Sequence, residues 1–134
     1  QCGADDCLFL NDAGLVTEAS NSNVFFAVDD RLVTPSQQAS NLQGLTKRTV
    51  HAVCDQAGLD CAEQSIDLRT VSRAQECFLT SATREVMAVK TLRLETGEVL
   101  EFPQGGGPLT RQVAGLYKAY IADYVKTNQH RLLF

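Results

Sequence analysis

Residues 15–26 have the sequence Leu15-Val16-Thr17-Glu18-Ala19-Ser20-Asn21-Ser22-Asn23-Val24-Phe25-Phe26. Apolar residues at both ends predict two β-strands, the second continuing to Val28. One carboxylate and several small polar residues lie between them, a composition typical of a kink or turn. The pattern therefore predicts Glu18 at the end of a strand, among hydroxyl and amide groups. Taken alone, the segment favours an ordinary polar turn with Glu18 in solvent.

The size and charge of the chain indicate what class of protein it is and which partners are unfavourable. Its 134 residues predict a single domain covering residues 1–134, and 44% apolar residues indicate a globular protein. The net charge of −4, without a basic block, makes nucleic acid and anionic membranes unfavourable partners. No apolar run approaches the length of a membrane span, and the first residues lack a signal-peptide pattern.

The cysteines and histidines indicate a protein without disulfides or metal. Five cysteines form no C-x-x-C pair, which favours reduced, mostly buried thiols and a cytoplasmic location. The two histidines have no second ligand at a metal-binding spacing, so we expect no metal site. The chain opens on Gln1 and runs at once into an apolar segment, as expected of part of a longer protein.

The remaining pattern predicts an α/β protein with a mixed sheet, because tight turns join several strands. Further strands are expected at residues 7–11, 32–34, 61–66, 76–80, 86–94 and 98–102, the last two forming a hairpin. Helices are expected from Thr46 to Gly58 and from Pro108 onward, and a short helix or turn at 68–74. The apolar stripe of the last helix, from Leu109 to Val125, is interpreted as core packing.

Two more loops carry groups suited to a ligand. Gly44 precedes the helix that begins at Thr46, and free amides in a first helical turn bind anions, although Thr46 could equally be an ordinary N-cap. Ser81, Ala82 and Thr83 follow a buried strand and could equally be a plain loop. Together with Glu18, these loops would suit a ligand carrying a phosphate and a basic ring nitrogen. Pyridoxal phosphate is such a ligand.

Four motifs, in this order and spacing, resemble the C-terminal domain of the class IV (fold type IV) pyridoxal-phosphate enzymes. They are Gly14-Leu15-Val16-Thr17-Glu18 with Ser22-Asn23-Val24-Phe25, Leu42-Gln43-Gly44-Leu45-Thr46, Phe78-Leu79-Thr80-Ser81-Ala82-Thr83-Arg84-Glu85-Val86, and Gly107-Pro108-Leu109-Thr110. The family includes branched-chain and D-amino acid aminotransferases and aminodeoxychorismate lyase. The resemblance implies a mixed sheet partly closed into a barrel-like domain with flanking helices.

The resemblance also implies a role for each site residue. Glu18 would pair with the pyridine nitrogen of the cofactor, and Leu42 would lie against its ring. The amides of Leu45 and Thr46, with the Thr46 hydroxyl, would hold the phosphate. The full implied cofactor site is Glu18, Ser22, Asn23, Leu42, Gly44, Leu45, Thr46, Ser81, Ala82 and Thr83.

The chain departs from the family pattern at three places. Lys47 stands where the family usually has Arg, although Arg48 follows, and Ala82 stands where many members have Thr. The family's Schiff-base lysine lies upstream of the Glu18 strand, where this sequence has no lysine, and Lys47, Lys90, Lys118 and Lys126 match no catalytic position. The N-terminal domain that completes the family's pocket is also outside this sequence.

The resemblance therefore implies the cofactor-binding part of an aminotransferase, inactive by itself. Amino acids and 2-oxo acids would be its substrates, and it would act as a homodimer together with the N-terminal domain of the same enzyme. A lyase of the aminodeoxychorismate type is the nearest alternative. A non-catalytic α/β binding module, in which the loops are only turns, is the alternative from another class.

Overall fold

The computed structural model describes residues 7–19, 22–36, 45–81, 85–94 and 96–128. The strands are β1 (Leu8–Leu10), β2 (Val16–Ala19), β3 (Asn23–Val28), β4 (Arg31–Pro35), β5 (Cys61–Gln64), β6 (Glu76–Ser81), β7 (Glu85–Ala88), β8 (Thr91–Arg93) and β9 (Val99–Glu101). The helices are α1 (Leu45–Ala57), α2 (Leu68–Ser72) and α3 (Pro108–Asn128). Among the described residues, no helix combines the length and hydropathy needed to cross a lipid bilayer.

The main sheet has five strands in the order β5-β4-β3-β6-β7. Only the β4–β5 pair is parallel, and the other pairs are antiparallel. The predicted mixed α/β fold is therefore confirmed. Two smaller sheets pair β1 with β2 and β8 with β9. The described strands form no closed barrel, so the barrel-like closure stays a prediction.

The central strand β3 is buried on both faces because its apolar residues are continuous. Phe26 and its alternate neighbours pack with β2 on one face of the sheet. Phe25 packs on the other face with α1 and α3, and its ring stacks on that of Phe78 at 4.9 Å between centroids. The sheet thus separates two apolar layers, with the long helices on one side only.

The single strand predicted for residues 86–94 is wrong, because two strands of different sheets occupy this segment. β7 completes the main sheet beside β6, whereas β8 pairs with β9. The chain changes sheets at Val89 and Lys90. The Val89 amide still donates to the Cys77 carbonyl, at 2.9 Å, and the Lys90 carbonyl already accepts from Phe102, at 2.8 Å. Hydrophobicity alone does not reveal such a change of partner.

The interpretation of the α3 stripe as core packing is wrong for its second half. Val113 and Tyr117 are buried in the helix-side layer, but Tyr120, Tyr124 and Val125 are 37–48% exposed. The reason is length, since α3 has 21 residues and therefore extends about 31 Å. The longest strands have six residues and span about 20 Å, so the helix extends beyond the sheet that it covers.

Candidate functional site

The described parts of the three polar segments predicted from the sequence lie at one end of the main sheet. Asn23, at the start of β3, pairs with Thr80, near the end of β6. β4 runs antiparallel to β3, so its last residue, Pro35, lies at the same end. The side chain of Lys47, in the first turn of α1, reaches the Pro35 carbonyl. The strand register therefore places the start of β3 beside the end of β6. The buried side chain of Lys47 brings the start of α1 to the same end of the sheet.

The end of β2, which contains Glu18, lies close to the start of β3. The Ala19 amide donates to the Ser22 carbonyl at 2.9 Å, which closes the chain between the two strands. Ser22 and Asn23 are buried despite their polarity. Glu18 belongs to β2, as predicted, while the position of its side chain lies outside what the structure describes.

The start of α1 has the features of an anion-binding helix terminus. Thr46, its second residue, is only 6% exposed. The first turn contains no acidic side chain, so the helix brings no carboxylate of its own to the positive end of its dipole. Leu42 and Gly44, and the side chain of Leu45, lie outside the described residues. The helix start itself, predicted at Thr46, is confirmed to within one residue.

Lys47 is the feature of this region that the sequence reasoning missed. Its side chain is fully buried, with Nζ 3.0 Å from the Pro35 carbonyl oxygen and 3.5 Å from Oε2 of Glu63. Arg48, the neighbouring basic residue, is exposed. The signal was present, because Lys47 precedes Val50 by three residues and Cys54 by seven, which places it on the apolar face of the helix.

The end of β6 supplies a buried hydroxyl that has no hydrogen-bond partner among the described residues. Thr80 is 1% exposed, and its Oγ1 has no partner within the described part of the chain. Thr80 lies two residues after Phe78, so alternation puts it on the sheet face that carries α1. Buried polar groups are nearly always satisfied. Ser81 follows and is half-buried, while Ala82 and Thr83 lie outside the described residues.

These observations fit the phosphate end of the predicted cofactor. A phosphate presents several acceptor oxygens, which suit free helix amides, the Thr46 hydroxyl and the unsatisfied Thr80 hydroxyl. Within the described residues, no group of His, Cys, Asp or Glu side chains is arranged to hold a metal ion. The arrangement at this end of the sheet is therefore suited to an anionic ligand.

Comparison with known proteins connects this geometry to a family. The sequence profile of the family described as Amino-transferase class IV matches residues 1–92, which contain all three polar segments. D-alanine aminotransferase of Bacillus licheniformis is 30% identical over 129 residues, which are 95% of this chain and 44% of that protein. The chain spans 31–44% of the length of the first curated relatives that it matches.

Solved structures give the same result. A candidate 4-amino-4-deoxychorismate lyase from Legionella pneumophila superposes with a TM-score of 0.77 at 27% identity, covering 87% of this chain and 41% of that one. The branched-chain amino acid aminotransferase from Thermobaculum terrenum in its pyridoxal-phosphate form has a TM-score of 0.72 at 29% identity, covering 89% and 38%. The family match covers most of the chain, and the fold agrees with it. The chain belongs to the class IV aminotransferase family.

Proposed function

We propose that this chain is the pyridoxal-phosphate-binding part of an aminotransferase that exchanges an amino group between an amino acid and a 2-oxo acid. A branched-chain or D-amino acid is the proposed substrate. The observation that carries the proposal is the family match over residues 1–92. It includes Glu18, the start of α1 and the end of β6. The buried, unsatisfied hydroxyl of Thr80 supports it independently.

Each residue of the proposed site has a distinct task. The cofactor, when bound, supplies an electron sink that stabilises negative charge on the α-carbon of the substrate. Glu18 keeps a proton on the pyridine nitrogen, because a carboxylate beside a basic nitrogen favours its charged form. Leu42 covers the ring and excludes water. Ser22 and Asn23 fix the β2–β3 connection that carries Glu18.

The phosphate is proposed to lie at the start of α1. The amides of Leu45 and Thr46 and the Thr46 hydroxyl donate to it, and Gly44 leaves room for close approach of the backbone. Ser81, Ala82 and Thr83 approach it from the end of β6, with Ala82 contributing only its amide. Lys47 holds the first turn of α1 against the sheet, through its hydrogen bond to the Pro35 carbonyl.

The remaining parts of the enzyme are proposed from the family. A lysine N-terminal to Glu18 in the full-length protein would form the Schiff base and transfer the α-proton. An N-terminal domain would complete the pocket and select the substrate. We propose that residues 1–134 form one domain, and that the enzyme is a cytoplasmic homodimer.

Replacing Glu18 by Gln tests the catalytic role. Gln keeps the size of the side chain and one hydrogen bond but does not support a protonated pyridine. We expect the rate of transamination in the full-length protein to fall by roughly 10²–10⁴-fold, the range associated with a positioned proton donor or acceptor. The melting temperature should stay close to that of the wild type. Turnover at the wild-type rate would exclude the assigned role.

Replacing Thr46 by Val tests the phosphate site. The loss of one charge-assisted hydrogen bond, about 1.5–3 kcal/mol, should raise the dissociation constant for pyridoxal phosphate by roughly ten- to a hundredfold. Thr46→Ser is the matched control, because it keeps the hydroxyl and should bind nearly as well as the wild type. If Thr46→Val lowers the melting temperature but leaves cofactor affinity unchanged, Thr46 only caps the helix.

A lyase of the aminodeoxychorismate type is the second candidate, favoured by the fold similarity to the Legionella pneumophila protein, with a TM-score of 0.77. The two activities separate in one assay of the full-length, cofactor-saturated protein. Amino-group transfer from a panel of branched-chain and D-amino acids to a 2-oxo acid supports the transaminase. Pyruvate release from aminodeoxychorismate without a 2-oxo acid supports the lyase. A protein that shows no absorbance from bound cofactor, after saturation and removal of the unbound cofactor, is a non-catalytic module.

A further inference from the structure

Two cysteines and a histidine meet where α1 faces the start of β5. His51 and Cys54 lie three residues apart on α1 and therefore on the same face. The Cys61 Sγ atom is 3.6 Å from His51 Nδ1. The thiols of Cys54 and Cys61 lie close enough that each shifts the pKa of the other. Cys61 also packs against the apolar layer to which Cys54 belongs.

This thiol pair is separate from the proposed phosphate site. Cys61 pairs with Leu32 near the start of β4, whereas Pro35, which contacts Lys47, is at the end of the same strand. None of the described cysteines is part of a disulfide. No residue of the pair has a part in the proposed transamination.

We propose that Cys54 and Cys61 form a modification site, a dithiol that a low-molecular-weight disulfide oxidises to an intramolecular disulfide. The six residues between them, from Asp55 to Asp60, already turn back on themselves. The Leu59 amide donates to the Cys54 carbonyl at 2.9 Å, which brings the chain round from α1 toward β5. A disulfide requires Cα atoms no more than about 7 Å apart, and this turn brings the two residues toward each other.

Exposure and the neighbouring histidine determine the order of attack. Cys61 is half-buried and can be reached by a small disulfide, whereas Cys54 is 0% exposed. His51 Nε2 lies 3.8 Å from Oε2 of Glu63, which favours the proton on Nε2 and leaves Nδ1 free to accept the Cys61 proton. Burial lowers the pKa of His51 and keeps the ring neutral. The positive charge of Lys47 also lowers this pKa, while the carboxylates of Glu63 and Asp55 raise it.

The oxidation proceeds by two exchanges. In the first, the Cys61 thiol passes its proton to His51 Nδ1, and its sulfur attacks the small disulfide, forming a mixed disulfide and releasing one thiolate. That thiolate takes up the proton. In the second, the Cys54 sulfur attacks Cys61 Sγ, the Cys54 proton goes to the departing group, and a second small thiol leaves. The protein loses two electrons and two protons, and the small disulfide gains both.

The two thiols affect each other before the oxidation begins. The interaction with Cys61 lowers the pKa of Cys54, while the interaction with Cys54, followed by burial, raises the pKa of Cys61. In the reduced pair, thiolate character therefore favours Cys54, but its burial keeps it from the small disulfide. Cys61 depends on His51 to lose its proton.

The test is oxidation of the folded full-length protein by oxidised glutathione, followed by alkylation and peptide mapping. A tryptic peptide covering residues 49–69 contains both cysteines, so the disulfide leaves it unalkylated and lighter by two hydrogen atoms. Cleavage at Asp55 or Asp60 should then give two peptides joined by the bond. We expect the disulfide between Cys54 and Cys61 to form at the same oxidant concentrations at which the exposed Cys7 forms only a mixed disulfide with glutathione.

Substitutions of Cys54, Cys61 and His51 test the role proposed for each residue in the oxidation. Cys54→Ala should stop at a glutathione adduct on Cys61, and Cys61→Ala should leave Cys54 unmodified. His51→Gln should slow disulfide formation by about tenfold or more. Peptide 49–69 retaining both thiols while Cys7 reacts overturns the proposal. So does modification of the buried Cys77 in parallel, because the oxidation would then report unfolding. An unchanged rate in His51→Gln overturns the role of the histidine.

Discussion

At the scale of single residues, Lys47 is the most informative side chain. A fully buried ammonium group is costly unless it is hydrogen-bonded and paired. Here the cost is offset by the Pro35 carbonyl, at 3.0 Å, and the Glu63 carboxylate, at 3.5 Å. These contacts join the first turn of α1 to β4 and β5. The residue next to the proposed phosphate ligand Thr46 is thereby fixed to the sheet.

Replacing Lys47 by Met should therefore destabilise the protein. The Pro35 carbonyl would lose a buried donor, which costs about 1–3 kcal/mol in the free energy of unfolding. Arg48→Met is the matched control, since it removes the same charge from an exposed neighbour and should change stability by less than about 0.5 kcal/mol. Urea denaturation of both variants is the measurement. Equal stability of the two variants would mean that the buried contacts of Lys47 have no net effect.

At the scale of elements, the start of α3 shows how a strand and a helix are joined. Glu76, the first residue of β6, accepts hydrogen bonds from the Leu109 amide at 3.2 Å, and from the amide and hydroxyl of Thr110, both at 2.7 Å. Its carboxylate also faces the positive end of the helix dipole. Gly107 makes room for this contact, because a Cβ atom there would lie 2.4 Å from Glu76 Cδ.

Two glycine substitutions in this region should have opposite effects. Gly107→Ala would push the buried Glu76 carboxylate away from the helix start, and we expect a loss of about 1–3 kcal/mol in unfolding free energy. Gly115→Ala lies within α3 with no atom near its new methyl group, so it should stabilise by up to about 1 kcal/mol. Thermal unfolding separates them. A neutral Gly107→Ala would show that Glu76 is free to move and does not cap α3 rigidly.

At the scale of the whole molecule, the sequence pattern correctly predicted those elements whose formation depends on residues close together in the chain. The continuous apolar run at Val24 to Val28 became the central strand, and Gly58 follows the end of α1 as expected. The sequence could not show that the chain changes sheets at Val89, since the choice of strand partner depends on residues distant in sequence. Nor could the sequence show that α3 extends beyond the sheet, because this depends on the lengths of the other elements.

The same limit applies to the candidate site. Ser22, Asn23 and Thr46 were predicted as site residues from local composition and family resemblance, and the structure buries all three at one end of the sheet. Their roles toward a cofactor stay predictions. The spacing of Lys47 from Val50 and Cys54 shows that it lies on the apolar face of α1. The partners that Lys47 contacts there, and the unsatisfied hydroxyl of Thr80 within the described residues, depend on how α1 docks on the sheet, which no local pattern reports.

The most direct test of the proposed function is borohydride reduction of the full-length protein loaded with pyridoxal phosphate, followed by peptide mapping. We expect one reduced cofactor per chain, attached to a lysine N-terminal to Glu18. None should be attached to Lys47, Lys90, Lys118 or Lys126. Label at any of these four lysines, or no label on a cofactor-saturated protein, would contradict the proposed assignment of the site.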